Sequence, residues 1–467
     1  MSNTTREGLQ AAVAQAHGAY VDGRCDNLAW KHKTLYAIFD MLQTEGTKAA
    51  HADASLRLEL AEVLRYISAT LLRLSTDLPG EFAKEQTLKD TRGGKGRKRA
   101  AGVVAIVGDV AHPLASWAVP LTEAIIDGNP AVIIAAPGSI IVPAKFTSRI
   151  DQEAYALLWT ASPAKLLGDG ELPQLTALVG PADRLPASLT VSTSSGPVSV
   201  HPVATAPVPV IVDQSALPGA KPLTPKQQEA GYVPSSITAV AQNIAAVVTV
   251  RSASLGTPTY VLAHENLVAP LLSALSAALP SHIKPELTEL FENKPSTRAF
   301  LAGQRAGFPS FLPVYTVRSI DQALDFVTDD VAAPAAAYVF AAHSFGSYAF
   351  NFLKNVQNVY LNSIPAEALA LGPYVNGKDE FSFTLQANVE ISRLRGDVQP
   401  PQSAASLDEL AKIKARKLYQ HPGQRIDFFG GSVLSAALPV LLLIVGGVGY
   451  GLVKGGLALK ASGWLHL

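Results

Sequence analysis

The most regular pattern along the chain is a pair of apolar runs separated by a helix-like stretch, within residues 102–139. Residues 102–107 form a continuous apolar run, residues 114–126 have the length and composition of a helix, and a second apolar run follows Gly128-Asn129. Continuous apolar strands on either side of a helix are typical of a parallel sheet that is covered on both faces. The pattern therefore predicts a β-α-β unit and an α/β fold.

Helical periodicity precedes this unit. Within residues 7–84, apolar side chains recur every three or four positions, as at Leu60, Val63, Leu64, Ile67 and Leu71. This spacing predicts amphipathic helices that bury one face. No internal repeat is evident, so we expect N-terminal helices followed by one continuous α/β body.

The other end of the chain contains 26 consecutive uncharged residues, 428–453. A bilayer-spanning helix needs about 20 apolar residues, so the segment is long enough to cross a membrane. Basic residues are concentrated before it, at Lys412, Lys414, Arg416, Lys417 and Arg425. The positive-inside rule then places the preceding body in the cytosol. We predict a single-pass C-terminal anchor in the endoplasmic reticulum or another organelle; the alternative is a buried core helix.

Composition excludes several classes of function. The chain of 467 residues has 38 basic and 38 acidic residues, which gives no electrostatic reason for a nucleic-acid partner. Cys25 is the only cysteine, so an internal disulfide framework and a cysteine zinc site are excluded. The ten histidines include no HExxH motif and no closely spaced pair, so no metal site is expected.

The order and spacing of residues 102–139 resemble the aldehyde dehydrogenase superfamily, in its short class with membrane-anchored fatty and carotenoid aldehyde dehydrogenases. The resemblance covers about residues 20 to 395 and includes the segments 320–326 and 377–383. It implies a Rossmann-type cofactor domain, an α/β catalytic-type domain and dimerisation. The implied division is 1–201 (N-terminal helices and cofactor-type domain), 202–396 (catalytic-type domain), 397–427 (linker), 428–453 (transmembrane helix) and 454–467 (short tail).

The same resemblance shows that the family's catalytic side chains are missing. This chain has Leu255 at the position of the nucleophilic Cys, Val203 at the general-base Glu and Ala111 at the oxyanion-binding Asn. Cys25 lies in the N-terminal helical region and is not a displaced copy of the nucleophile. Ser254 is adjacent to Leu255, but a hydroxyl without a base is a poor nucleophile and no base is evident beside it.

The cofactor-binding positions are also changed. The family's cofactor-binding Lys corresponds, within one residue of register, to Ala136, and its ribose-binding Glu corresponds to Ala306. Only Gly180 remains of the turn that the family writes as FTGS, and it is the one candidate for cofactor binding. Asp109 and His112 lie near the expected mouth of the cleft, where we expect them to be turn or packing residues rather than a catalytic pair.

These observations leave two hypotheses. The first is a membrane-tethered pseudoenzyme without a cofactor, which acts as a binding or assembly module and forms a homodimer or a heterodimer with an active paralogue. The second is an enzyme that uses NAD or NADP to oxidise hydrophobic fatty or polyene aldehydes to acids at the membrane, with replacement groups. Fold alone does not choose between them, because function depends on the site.

Overall fold

The computed structural model describes most of the chain outside its C-terminal region. The described residues are 4–76, 100–138, 140–141, 146–168, 172, 174–186, 192–193, 196–203, 206–216, 235–250, 254–288, 311–328, 334–374, 406–415 and 454. The chain divides into two compact units, Met1–Lys417 and Leu418–Leu467. The predicted membrane segment 428–453 and Ala306 lie outside the described residues. Within those residues, no helix is both long and apolar enough to span a membrane.

The helices of the first unit begin with a group at the N-terminus and continue between the strands. They are α1 (Arg6–Val21), α2 (Leu28–Met41, followed by the helical stretches Leu42–Gly46 and Thr47–Ala49), α3 (Ala54–Thr76), α4 (Ala115–Asp127), α5 (Phe146–Arg149), α6 (Pro163–Gly168), α7 (Ser235–Val250), α8 (Val268–Ala278), α9 (Ile320–Thr328), α10 (His343–Phe352), α11 (Ala366–Ala370) and α12 (Leu407–Lys412).

Among the described residues, the strands form two parallel sheets and one short antiparallel pair. They are β1 (Val103–Val107), β2 (Ala131–Ala135), β3 (Tyr155–Trp159), β4 (Leu175–Pro181), β5 (Ser192–Thr193), β6 (Gly196–Pro197), β7 (Ser199–Val203), β8 (Pro209–Val212), β9 (Tyr260–His264), β10 (Lys284–Thr288), β11 (Phe311–Val317), β12 (Ala337–Phe340) and β13 (Val359–Leu361). The first sheet has the order β3-β2-β1-β4-β7 and the second the order β10-β11-β9-β8-β12-β13.

The predicted β-α-β unit is confirmed as β1, α4 and β2. Every residue of both strands is buried, as expected for a parallel sheet covered on both faces. Gly128 ends α4 in a left-handed conformation with φ of 80°, which favours glycine. Asn129 then accepts hydrogen bonds from the N–H groups of Ala101 and Gly102 at 2.7 and 3.0 Å, which fixes the entry into β1.

The predicted N-terminal helices are also present: α2 and α3 pack on α4, and α1 packs on the strands β1, β2 and β3. The periodic apolar residues Leu60, Val63, Leu64, Ile67 and Leu71 are all completely buried on α3. They belong to one core that continues through both parallel sheets. This core carries the framework on which the candidate site is built.

Part of the predicted linker returns to the N-terminal helices. Helix α12 begins with a capping box at Ser406, and Leu410 on it is completely buried. The Gln43 side chain donates hydrogen bonds to the carbonyls of Leu410 and Ile413 at 3.2 and 2.8 Å. Residues 406–415 are therefore docked on the body. The division of the chain into domains at 201/202, 396/397 and 427/428 stays a prediction.

Candidate functional site

The order of the first sheet locates a crevice. The chain leaves β1 toward β2 on one side and later returns to place β4 on the other side of β1. In open α/β sheets, ligands bind outside the carboxyl ends of the strands at such a reversal of strand order. Here those ends are Val107 of β1 and Pro181 of β4. The site is therefore built from the loops that follow these two strands.

Gly180, the predicted cofactor-binding residue, lies at this crevice and is tightly packed. A Cβ on Gly180 would lie 2.7 Å from Cβ of Val107 and 3.3 Å from Cδ2 of Leu185. The close approach of β4 to β1 accounts for a residue without a side chain here. Nearby, Arg184 donates a hydrogen bond to the carbonyl of Gly108 at 3.0 Å and so links the two strand ends. The cofactor-binding role of Gly180 stays a prediction.

The N-terminus of α4 is already capped by a carboxylate of the chain itself. Glu59, which is 1% exposed on α3, accepts hydrogen bonds from the N–H groups of Leu114 and Ala115 at 2.9 and 2.7 Å with one oxygen. Free N–H groups at a helix N-terminus after a parallel strand form a ready site for phosphate. In this protein Glu59 occupies two of these donors.

His112 lies at the centre of the crevice and is completely buried. Its Nδ1 lies 3.0 Å from the carbonyl oxygen of Ala370, and its Nε2 lies 3.1 Å from the backbone nitrogen of Leu255. A carbonyl can only accept and an N–H can only donate, so the hydrogen is assigned to Nδ1 and the lone pair to Nε2. The neutral imidazole thus joins the loop after β1 to the turn that contains Leu255.

The structure places a potential base beside Ser254, which the sequence does not indicate. Ser254 Oγ lies 3.3 Å from Nε2 of His112, but it lies only 2.5 Å from the carbonyl oxygen of Leu369. The carbonyl must receive the hydroxyl hydrogen, and Nε2 already accepts from the Leu255 N–H. Ser254 Oγ also accepts from the N–H of Gly256 at 3.1 Å. With 7% exposure, this hydroxyl serves as a buried connector in the arrangement seen here.

Residues 368–374 fill the space next to these groups. A Cβ on Gly256 would lie 2.1 Å from the carbonyl oxygen of Ala368, and a Cβ on Gly372 would lie 2.7 Å from Nε2 of His112. Gly372 also has φ of 53°, in the left-handed region. Both glycines therefore permit backbone contacts that any side chain would prevent. The segment is packed directly against the imidazole and the Ser254–Gly256 turn.

Tyr374 completes the covering of His112. Its ring meets the imidazole edge-on at a centroid distance of 5.6 Å, and its hydroxyl lies 3.4 Å from Oδ2 of Asp109. Burial, together with the carboxylate of Asp109, raises the pKa of Tyr374 well above its ordinary value, so the phenol stays protonated. Asp109, itself 7% exposed, also accepts a hydrogen bond from the N–H of Ala111. Asp109 and His112 both contact Tyr374, and both serve packing and turn roles in this arrangement.

The other positions singled out by the sequence are divided among several elements. Leu255 and Ala111 are half-buried and are brought near each other through His112. Val203 is the last residue of β7 and pairs with Pro181 of β4, while Ala136 directly follows β2. None of these side chains carries a nucleophile, a base or a charge. Among the residues that the structure describes, no three His, Cys, Asp or Glu side chains are grouped to hold a metal ion.

Sequence reasoning missed Glu59, Arg184 and Tyr374 as parts of this site. Glu59 lies 55 residues from Leu114 and Tyr374 lies 265 residues from Asp109 along the chain. No local spacing signals such contacts, because they depend on how the two sheets and the helices are assembled. The excess of apolar neighbours around Glu59 is the one sequence sign that its carboxylate needs a buried partner.

Comparisons with known proteins extend the description of the fold. Neither a scan of protein-family models nor a search of curated proteins finds a match. A mutant of aldehyde dehydrogenase C from Pseudomonas syringae, complexed with NAD+ and octanal, matches with a TM-score of 0.54 and 13% identity, over 78% of this chain and 83% of its own.

Two further aldehyde dehydrogenase structures match this chain to a similar extent. Aldehyde dehydrogenase 21 from Physcomitrella patens, in complex with succinate, matches with a TM-score of 0.54 and 13% identity, over 78% of this chain and 84% of its own. The aldehyde dehydrogenase KauB from Pseudomonas aeruginosa has a TM-score of 0.53 and 14% identity, over 78% of this chain and 82% of its own. Identities at this level establish the fold alone. The chain has the α/β fold of the aldehyde dehydrogenase superfamily.

Proposed function

We propose that this protein is a catalytically inactive member of the aldehyde dehydrogenase fold, tethered to a membrane and used as a binding or assembly module. One observation carries the proposal: the N–H of Leu255, the residue that the resemblance aligns with the nucleophile, is hydrogen-bonded to the completely buried His112 at 3.1 Å. The position therefore lacks the reactive side chain, and its backbone donor is already occupied.

The chemistry of aldehyde oxidation explains why both features matter. A thiolate must attack the aldehyde carbon, and the resulting tetrahedral adduct must then give hydride to NAD+ or NADP+ to become a thioester that water hydrolyses. Backbone N–H groups beside the nucleophile usually stabilise the oxygen of such an adduct. Here a leucine side chain cannot attack, and His112 takes the donor that an oxyanion would need. Residues 368–374 lie against the same atoms, where a substrate carbonyl would have to enter.

We further propose that NAD and NADP bind weakly or not at all. Ala136 and Ala306 replace side chains that would make charge-assisted hydrogen bonds, each worth about 1.5–3 kcal/mol. Losing both would weaken binding by about two to four orders of magnitude. The carboxylate of Glu59 at the N-terminus of α4 also disfavours a phosphate there. Titration calorimetry with NAD+ and NADP+ tests this; a micromolar dissociation constant would contradict it.

The activity assay uses octanal, because the Pseudomonas syringae structure contains this aldehyde, together with a longer-chain and a polyene aldehyde. We expect no aldehyde-dependent formation of NADH or NADPH above a heat-treated control. The matched variant is Leu255→Cys, which restores the thiol but leaves His112 bonded to the backbone N–H; it should remain inactive. Turnover by the wild-type chain that persists in Cys25→Ser would instead support the alternative, an NAD(P)-dependent oxidoreductase for hydrophobic aldehydes.

The proposed tether is supported by the uncharged residues 428–453 and by the basic residues before them. Its test is fractionation of cells that express the full chain or the chain ending at Asp427. The full chain should sediment with membranes and resist salt extraction, while the truncated chain should be released. Protease added to intact vesicles should digest the body, which is proposed to face the cytosol. A full chain that is soluble after cell breakage would contradict the tether.

Assembly is the use that we propose for a body that has lost catalysis, either as a homodimer or with an active paralogue. The test is affinity purification of the full chain in detergent, followed by mass determination by light scattering. A mass of two chains would support the homodimer, and co-purification of a dehydrogenase of the same fold would support the heterodimer. A single chain without such a partner would contradict both.

A further inference from the structure

Exposed aromatic side chains are concentrated on one helix of the body. Among the described residues, seven large hydrophobic side chains are exposed: Val21, Leu72, Val110, Leu287, Phe345, Tyr348 and Phe352. The first four lie on separate elements. The last three lie on α10 and are 42%, 38% and 52% exposed. Single exposed apolar residues are common, but a group of them marks a surface that binds something.

The three aromatic residues share one face of α10. Their spacing of three and four residues places them on neighbouring turns of the helix, so we call them the aromatic face. The adjoining face is seated tightly on the sheet: Ala349 and Leu353, the residue just after the helix, are completely buried, and a Cβ on Gly346 would lie 2.3 Å from Cδ1 of Leu361 in β13. The helix therefore cannot rotate to bury its aromatic side chains.

The aromatic face is also held in place at the surface. The Tyr348 and Phe352 rings are 4.5 Å apart between centroids, and the Tyr348 hydroxyl donates to Oδ1 of Asp321 on α9 at 2.6 Å. This hydrogen bond and the nearby Asp325 raise the pKa of Tyr348. The surroundings thus carry acidic groups, with Lys354 as the adjacent exposed base. Such a surface has no excess of positive charge and does not favour an anionic partner.

We propose that the aromatic face is a second membrane contact, which inserts into the interfacial region of a zwitterionic bilayer. The inference rests on the proposed tether: residues 416–427, between the described segment 406–415 and the proposed span, number twelve, and twelve residues span at most about 40 Å when extended. Tyrosine favours the membrane–water interface because its ring is apolar and its hydroxyl stays hydrated. A spanning anchor would also keep the aromatic face at a high effective concentration near the bilayer, so a contact too weak to bind alone can form.

The test uses the full chain in phosphatidylcholine vesicles that contain brominated lipid. Cys25 is buried, so an environment-sensitive maleimide can be attached selectively to Ser344→Cys, an exposed position beside Tyr348 on α10. The matched control is Ser281→Cys, which is exposed before β10 at the opposite edge of the sheet. We expect brominated lipid to quench most of the fluorescence at residue 344 and little at residue 281. Anionic lipid should not increase the quenching.

Variants separate this inference from the tether. Phe345→Ser/Tyr348→Ser/Phe352→Ser should abolish quenching at residue 344 while the protein still floats with vesicles. A second variant, Phe345→Ser/Phe352→Ser, keeps the bond from Tyr348 to Asp321 and should lose most of the quenching without a change in melting temperature. Flotation without quenching at residue 344 would overturn the aromatic contact alone, and a chain that does not float would overturn both proposals. A detergent-solubilised dimer that the triple variant converts to a monomer would assign the face to a second copy.

Discussion

At the scale of single residues, His112 determines how the crevice is closed. Its two ring nitrogens satisfy the carbonyl of Ala370 and the N–H of Leu255, both in the buried interior. A buried polar group left without a partner costs about 1–3 kcal/mol. The imidazole is therefore a structural component of the site, whose loss would be felt in stability rather than in catalysis.

We expect His112→Ala to lower the free energy of unfolding by about 2–5 kcal/mol, since it leaves two backbone groups unpaired and a cavity behind. The matched control is His282→Ala, an exposed histidine, which should change stability by less than about 0.5 kcal/mol. Urea unfolding measures both. Added imidazole should recover part of the loss in the first variant by filling the space. A loss below that of the control would show that the hydrogen bonds of His112 are dispensable.

Cys25 supplies a second prediction at this scale. It is 1% exposed, and burial, followed by the nearby Asp151 and Asp26, raises the pKa of its thiol from 9.0 to about 11. Because the thiolate is the reactive form, two pH units correspond to about 100-fold less reactive sulfur near neutral pH. Alkylation of the native protein at pH 8 should therefore be at least about 100-fold slower than in denaturant. Equal rates would mean that the N-terminal helices open freely. The Cys25→Ser variant, which has no thiol, measures the background reaction.

At the scale of elements, α4 depends on a cap that comes from α3. Glu59→Ala would remove the acceptor for the N–H groups of Leu114 and Ala115 and should lower the free energy of unfolding by about 2–4 kcal/mol. Glu59→Gln keeps one acceptor oxygen without the charge, so it should retain about half of that stability. Chemical denaturation compares the two variants. If Glu59→Gln were as destabilising as Glu59→Ala, the negative charge rather than the hydrogen bonds would be the main contribution.

The elements also show how far the sequence could predict the fold. The strands of the β-α-β unit and the periodic face of α3 follow from local apolar patterns, and the structure confirms them within one or two residues. The closure of the crevice does not follow from such patterns. Tyr374 reaches Asp109 across 265 residues and Leu369 reaches Ser254 across 115. These contacts depend on the packed assembly, so no local pattern in the sequence predicts them, and the absence of catalytic chemistry stays a prediction.

At the scale of the whole molecule, the buried thiol and phenol groups determine how the free energy of unfolding changes at high pH. Burial raises the pKa of Cys25 to about 11 and that of Tyr315 to about 12, and raises the pKa values of Tyr155, Tyr338 and Tyr374 well above 10.0. In each case the folded state holds its proton more tightly than the unfolded state. These five groups therefore leave stability unaffected below about pH 9 and lower it as pH rises through their unfolded pKa values.

The size of this effect predicts the pH at which the body unfolds in alkaline solution. Each group lowers the free energy of unfolding by about 1.4 kcal/mol for every pH unit between its unfolded and folded pKa values. Cys25 and Tyr315 alone account for about 4 kcal/mol at pH 11. Tyr155, Tyr338 and Tyr374 add to this in the same direction, so the loss is a large part of the total stability of an ordinary domain. Tyrosine absorbance at 295 nm should thus show exposed phenols titrating near pH 10 and the buried ones in one step with loss of circular dichroism near pH 11.

The discriminating variant is Tyr315→Phe. Tyr315 is completely buried with an unpaired hydroxyl, so the phenylalanine should leave stability at pH 7 unchanged or higher. It should also move the midpoint of alkaline unfolding to higher pH. A midpoint that does not move, or buried phenols that titrate before the circular dichroism changes, would show that the hydroxyl ionises inside the folded protein and that alkaline unfolding has another cause.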